Sequence, residues 1–377
     1  MLLKEIADVQ AGQGAPQGDE NYCKRGVPFV KAGNLLELIE GKNINDIQSV
    51  SEEVAKKYKL KLQKAGSILF AKSGMSCMKG YVYILPRDAY VVSHLAIITP
   101  KNLRHSKYLG YYFEYYKPNR LVKDTSYPSI SLMDIQNISI IIKEDKLEEI
   151  IKTLDKIKKI IKNYKTTLIH FDELVKARFV EMFGDMKPTV KLNKYIIELR
   201  AGKSLAGNEI CKNKVLKTGA ATFGFFDKDQ YKYYPKEYKP NPLHKVETGD
   251  VIISRMNTPE LVGACSYVYE APDNTYYPDR LWKVIVNENT NPIFLWQLMW
   301  QQEIRKQIKE NSYGTSGTMN NISKIKLLNI NAIDVPISLQ NQFADFVKEV
   351  DKSRLEVQKS LEKTQELFDS LMQKYFG

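Results

Sequence analysis

Residues 146–184, KLEEIIKTLDKIKKIIKNYKTTLIHFDELVKARFVEMFG, decide the fold, because their pattern occurs twice. Ile150, Leu154, Ile157, Ile161, Tyr164, Leu168, Phe171, Val175, Arg178 and Met182 step by four and three residues. Adding 193 to each gives Phe343, Val347, Val350, Arg354, Val357, Leu361, Thr364, Phe368, Leu371 and Tyr375. Both stretches close on Phe-Gly, at Phe183-Gly184 and Phe376-Gly377. Only Arg178, Arg354 and Thr364 interrupt the apolar seams. Steps of four and three keep one stripe of a helix facing one partner, which predicts two long helices, 145–184 and 338–377, folded together as an antiparallel coiled coil. Asp145 and Ser338, residue types able to cap a helix, mark the expected starts. From Lys146 to Phe183 is about 38 residues, roughly 55 Å of helix. Such a pair is expected to hold two globular units a fixed distance apart.

The duplication extends beyond the helices. Leu2, Lys4, Ile6, Asp8, Val9, Ala11 and Gly12 match Leu192, Lys194, Ile196, Glu198, Leu199, Ala201 and Gly202. Val30-Lys31-Ala32-Gly33 is similar to Leu216-Lys217-Thr218-Gly219, and Gly66 to Lys72 is similar to Gly249 to Arg255. Ile130-Ser131 and Asn137-Ile138 return as Ile322-Ser323 and Asn329-Ile330. The offset drifts from 190 to 183 and back to 193, as loop insertions and deletions require. Two ordered copies make a duplicated module rather than a solenoid. The expected divisions are 1–144, 145–184, 185–337 and 338–377, with 184–189 linking the copies.

Each module reads as mixed helix and strand, giving an α+β class. Tyr81 to Leu85, Tyr90 to Ile98, Val251 to Ile253 and Leu281 to Val286 are β-branched or aromatic runs and predict strands. Amphipathic helices are expected at 106–116 and 292–309. Polar loops follow at 123–129 and 311–318, each containing Ser-Tyr. Strand-like runs, Ile138 to Ile142 and Leu327 to Ile333, then lead into the long helices.

The chain has 377 residues and a formal net charge of +12, which favours a polyanionic partner. Four widely spaced cysteines, Cys23, Cys77, Cys211 and Cys265, argue against a zinc site or disulfide framework. No apolar run has membrane-spanning length, and the N-terminus lacks a signal-peptide pattern, so no membrane partner and a cytoplasmic location are expected.

Enzyme motifs are approached and missed. Gly202-Lys203-Ser204 ends like a phosphate-binding loop, but Ile197 stands where its leading glycine belongs, so a strand-end turn is the expectation. Asn291-Pro292-Ile293-Phe294 lacks the second proline of an amino-methyltransferase motif and suits a helix start. Pro278-Asp279 has no following Glu-x-Lys, and His94, His105, His170 and His244 are scattered. No catalytic set and no metal site is expected.

The order module, long helix, module, long helix resembles the specificity subunit of type I restriction-modification systems. So do Leu3-Lys4-Glu5-Ile6-Ala7-Asp8-Val9, the run from Gly26 to Leu35, Gly66-Ser67-Ile68-Leu69, and Val335-Pro336 with Gln340, Gln342 and Phe343. The resemblance implies two homologous target recognition domains, 1–144 and 185–337, each reading half of a bipartite site on double-stranded DNA. It implies helices that dock methyltransferase subunits, two of them, and restriction/translocase subunits. The chain itself would be non-catalytic and hold no cofactor, S-adenosylmethionine belonging to the methyltransferase. The alternatives are the DNA-recognition unit of a type II-like restriction-modification enzyme and a coiled-coil scaffold that binds no DNA.

Base and phosphate contacts need donors and acceptors on exposed loops. The candidates are Lys31, Asn34, Lys72, Ser73, Lys79, His94 and Tyr127 in copy one, and Lys217, Thr218, Arg255, Asn257, Arg280, Tyr313, Thr315 and Ser316 in copy two. Lys31 with Lys217, and Lys72 with Arg255, recur at equivalent places, which suits phosphate gripping. Lys156, Lys158, Lys159, Lys162 and Lys165 read as a solvated face before they read as a contact to spacer DNA.

Overall fold

The computed structural model describes residues 1–314 and 319–377. It forms two compact units, Met1–Lys165 with Lys359–Gly377, and Thr166–Gln358. Each unit contains one module and one end of each long helix.

The modules share their sheets strand for strand. In the first, an antiparallel sheet runs in the order Ala7–Ala11, Leu95–Pro100, Ile68–Ala71, Val82–Ile84. In the second the order is Ile196–Ala201, Leu281–Val286, Val251–Ser254, Cys265–Tyr267, again antiparallel throughout. A smaller sheet centres on Val27–Val30, antiparallel to Ser49–Val50 and parallel to Tyr90–Val91. Its counterpart centres on Lys214–Leu216, antiparallel to Tyr231–Tyr233 and parallel to Thr275–Tyr276. The inner strands Ile68–Ala71 and Val251–Ser254 are buried at every residue, so they are apolar runs rather than alternating patterns.

A glycine directly follows the strands Ala7–Ala11 and Ile196–Ala201. A Cβ on Gly12 would lie 2.3 Å from the Val91 and Val92 carbonyl oxygens, and one on Gly202 only 1.9 Å from that of Tyr277. Backbone approaches this close exclude a side chain, which accounts for both glycines; the expected strand-end turn does not form, and the chain continues irregularly past each.

Several local expectations change. The run from Tyr90 to Ile98 is two strands in two different sheets, Tyr90–Val91 and Leu95–Pro100. The 292–309 stretch is two helices, Pro292–Met299 and Gln302–Asn311, and the Asn291 side chain caps the first by accepting from the Ile293 and Phe294 N–H groups. Ile138 to Ile142 forms no strand; Ser139 makes one isolated bridge to Leu2. Leu327 and Leu328 close the short helix Lys324–Leu328, and only Asn331–Ile333 is strand. A pair of short helices, Leu132–Gln136 and Lys324–Leu328, recurs there instead, each capped by a serine, Ser131 or Ser323.

The long helices run Leu147–Phe183 and Ile337–Phe376. Asp145 lies in a preceding 3-10 turn, Glu144–Lys146, and Ser338 is the second helical residue, so neither caps its helix. Within the first unit, Lys143 Nζ donates to the Tyr375 carbonyl at 3.1 Å and Lys158 lies 5.8 Å over the Phe368 ring. Within the second, Arg354 pairs with Asp172 at 2.7 Å and the Phe179 and Phe343 rings sit 5.4 Å apart. Partner numbers fall as helix numbers rise, so the helices pack antiparallel in each unit.

The seam itself turns at both ends. After Val175 the buried residues are Phe179 and Phe183, not Arg178 and Met182; after Phe368 come Met372, buried, and Phe376, partly buried. An α-helix has 3.6 residues per turn, so a stripe stepping four and four drifts off a 3.5-residue seam. The drift carries Phe179 and Phe183 onto Phe294 and Phe343 in the second module's core, and Phe376 onto Tyr108 and Tyr112 in the first.

Candidate nucleic-acid interface

In the first module the strand Ile68–Ala71 runs on into Lys72, Ser73 and Gly74, and there the 128–130 segment joins it. The Lys72 carbonyl accepts from Ile130 N–H at 2.8 Å, Ser73 bridges Ser129, and the Pro128 carbonyl accepts from Gly74 N–H at 3.0 Å. Lys72 N–H donates to the His94 carbonyl at 2.9 Å, and Ser73 Oγ lies 2.8 Å from His94 Nδ1. The ladder thus brings together Lys72, Ser73, His94 and the Tyr127 loop. Lys79 is exposed at the end of the following 3-10 turn, Met75–Lys79.

Lys31 and Asn34 form a second group. Asn34 Oδ1 accepts from Lys31 N–H at 2.9 Å, which occupies that side chain in the turn. Lys31 Nζ donates to Gln48 at 2.7 Å and lies 4.1 Å over the Tyr22 ring. A recess beside it is lined by Asp19, Tyr22, Lys24, Asp46 and Gln48, so its carboxylates outnumber its one cation. Lys31 is therefore the more locally committed of the candidate lysines.

The second module repeats the ladder. Arg255 N–H donates to the Arg280 carbonyl at 3.0 Å, and the Arg255 carbonyl accepts from Ile322 N–H at 3.0 Å. Met256 and Asn257 pair with Asn321 and Asn320. Asn321 also exchanges both backbone hydrogen bonds with Tyr313, whose ring is half exposed with Lys326 Nζ 5.1 Å above it. The Arg255 guanidinium lies 5.9 Å over Trp282, with its Nε buried. Asn257 Nδ2 reaches Thr222 Oγ1 at 3.4 Å, and that hydroxyl donates to the Thr218 carbonyl at 2.9 Å. Lys217, exposed, precedes this turn. The described candidates of copy two, Lys217, Thr218, Arg255, Asn257, Arg280 and Tyr313, are thus linked through backbone and side-chain bonds. Thr315 and Ser316 lie outside the described residues.

One sequence correspondence fails. The shared Ser-Tyr suggests Tyr313 as the counterpart of Tyr127, but the ladder equates Ser129 with Asn321 and therefore Tyr127 with Met319. The same offset of 192 that relates Ile130 to Ile322 gives this pairing and was the signal for it. Sequence reading also passed over Lys203 and Arg200, which with burial hold the His244 pKa below its ordinary value. Burial is the larger cause; the two cations add a positive field beside Gly202. Among the described residues no group of three His, Cys, Asp or Glu side chains is placed to hold a metal ion. No helix among them is long and apolar enough to cross a membrane.

The two modules share one topology, and each places a cation, Lys72 or Arg255, at the root of a hydrogen-bonded ladder. Residues 1–170 match the model of the type I restriction modification DNA specificity domain. The type I restriction enzyme MjaIX specificity subunit of Methanocaldococcus jannaschii is 31% identical over 174 residues, 44% of this chain and 39% of that protein. Residues 1–170 are thus similar to a type I restriction-modification specificity domain, and the chain spans about two fifths of that relative's length. The fold agrees along the whole chain. A crystal structure of the type I restriction-modification S subunit from M. genitalium superposes with a TM-score of 0.59 at 13% identity, covering 100% of this chain and 95% of that one. A structure describing complex assembly and conformational transition of a type I restriction-modification system gives 0.52 at 15% identity, covering 100% and 96%.

Proposed function

We propose that this chain is the sequence-reading subunit of a type I restriction-modification complex, each module reading half of a bipartite site on double-stranded DNA. The observation that carries the reading is the repeated ladder, with Lys72 and Arg255 in one backbone setting and exposed side chains beyond them. Cations at equivalent points of two modules grip phosphate whatever the sequence, fixing orientation. The loop residues that differ between copies, among them Ser73, Lys79 and Arg280, are then the ones to address base edges. The paired helices are proposed to dock two methyltransferase subunits, and the assembled complex to engage restriction/translocase subunits in the cytoplasm. S-adenosylmethionine and the methyl transfer belong to the methyltransferase, and this chain contributes position and specificity.

The test is methylation mapping. The chain alone, given S-adenosylmethionine and DNA, is expected to transfer no methyl group. Co-expressed with its methyltransferase subunit, it is expected to direct adenine methylation to one bipartite sequence. Robust methylation by the chain alone, or methylation whose sequence is unaffected by exchanging its modules, overturns the proposal.

A further inference from the structure

In the first module the contacts at 72–74 and 128–130 close like a zip, and the chain continues past the last of them on both sides. One residue beyond the Gly74–Pro128 bond stand Met75, 69% exposed, and Tyr127, 84% exposed. No large apolar side chain among the described residues is more exposed than Tyr127. Both are held from behind. Pro128 and Ile130 are buried after Tyr127, and Cys77, 1% exposed, is bonded through its N–H to the Gly74 carbonyl at 3.0 Å. Apolar surface displayed from an anchored support loses the stabilisation that burial would bring. The root of the same ladder carries Lys72, with exposed Lys79 at the end of the adjoining turn. In the second module the residue equivalent to Tyr127 is Met319, apolar and 40% exposed, beyond Arg255 at that root.

We propose that Met75 and Tyr127 form an apolar wedge that enters duplex DNA between two stacked base pairs, and that Met319 is the corresponding wedge residue of the second module. The inference rests on the reading that the chain binds duplex DNA and adds how part of the sequence is read. Cations at the ladder root engage phosphates, which brings the tip against the stacked bases. Side-chain insertion unstacks one step at a cost of about a few kcal/mol, repaid by contacts that the kinked duplex permits. Pyrimidine–purine steps yield most easily, so the wedge selects a flexible step without hydrogen-bonding to its bases.

The experiment uses the full chain, alone and co-expressed with its methyltransferase subunit, and a duplex selected by the wild type from a random-sequence pool. 2-Aminopurine is placed at successive steps of that duplex. Wild-type binding is expected to raise fluorescence at one step in each half-site. Met75→Ser/Tyr127→Ser is expected to abolish the rise in the first half-site and weaken binding roughly 10–100-fold, with the salt dependence unchanged. Tyr127→Phe is expected to retain the signal, since stacking needs the ring and not the hydroxyl. Both positions are on the surface, so the thermal midpoint of the double variant checks that its fold is intact. An unchanged affinity and fluorescence in the double variant overturns the wedge while leaving DNA reading in place. A change only in the sedimenting species assigns the pair to contact between copies and also overturns it. Loss of signal in Tyr127→Phe marks a hydroxyl–phosphate contact instead. No duplex binding by the wild type overturns the wedge and the proposed function together.

Discussion

Lys72 and Arg255 occupy one backbone position in two copies of a module. Each donates its N–H to the residue before the neighbouring strand, His94 at 2.9 Å and Arg280 at 3.0 Å, and each accepts from an isoleucine, Ile130 or Ile322. The backbone fixes where both cations leave the sheet. On the proposed reading, both grip phosphate on duplex DNA. Lys72→Ala and Arg255→Ala are each expected to weaken binding across sequences and to reduce the salt slope by about one unit. Arg255→Lys controls for the loss of packing on Trp282. Affinity titrations from low to moderate salt decide it: an unchanged slope places both side chains in solvent.

The helix pair is expected to act as a measure of the spacer between half-sites. Seven residues inserted after Lys159 and again after Lys352 add about 10.5 Å of helix at 1.5 Å per residue. At 3.4 Å per base pair, the unread spacer should lengthen by roughly three base pairs. A seven-residue insert keeps the apolar seam in register, whereas four residues rotate it and should impair folding. Motif mapping of methylated DNA reads the result. A normal motif with an unchanged spacer would remove the helices from distance setting.

A buried ion pair lies in the second module. Asp250 pairs with Lys283 at 3.0 Å and accepts from the Tyr277 hydroxyl at 2.9 Å, and burial raises its pKa despite both partners. Lys283→Met strands the carboxylate and is expected to cost about 3–5 kcal/mol at neutral pH. A carboxyl whose folded pKa is raised favours folding below its unfolded pKa and loses that contribution as pH rises through the folded value. Removing the lysine raises the folded pKa further, so the penalty should shrink as pH falls from neutral toward the acid range. Urea midpoints at both ends of that range test this. A loss equal at all pH values would reduce Lys283 to a packing role.

Gly12→Ala and Gly202→Ala are expected to destabilise the chain by about 1–3 kcal/mol each, because the new methyl meets backbone carbonyl oxygens. Gly33→Ala is the control: its Cβ would have nothing within 4 Å. Thermal unfolding ranks the three. A silent Gly202→Ala would contradict the close approach of the Tyr277 carbonyl.

The heptads and the ordered repeats were legible because periodicity is a property of sequence alone, and they yielded both helices and the α+β modules. The pairing of strands between sheets was not. Val91 and Leu95 read as one β-branched run, yet the bend at Ser93 and His94 sends them into different sheets. At the interface, Lys72 and Arg255 emerged from the repeat, whereas Met319 did not. The shared Ser-Tyr drew attention to Tyr313, and only the hydrogen-bonded register of Asn320 and Asn321 identifies which residue stands at the tip. Asn34 and Asn257 had the right chemistry, but their side chains serve local turns, a use that composition cannot reveal.

The first unit is assembled from the two ends of the chain, while Thr166–Gln358 is continuous. During synthesis the continuous unit has all of its residues before the discontinuous one does. Leu147, Ile150 and Leu154 must wait beside Tyr108 and Tyr111 until Phe368 and Met372 leave the ribosome and complete that cluster. Domains otherwise fold as units in the order they are made. Here the module translated first is the one finished last, and a chain stopped before residue 359 would present a complete second unit beside an uncovered apolar helix face.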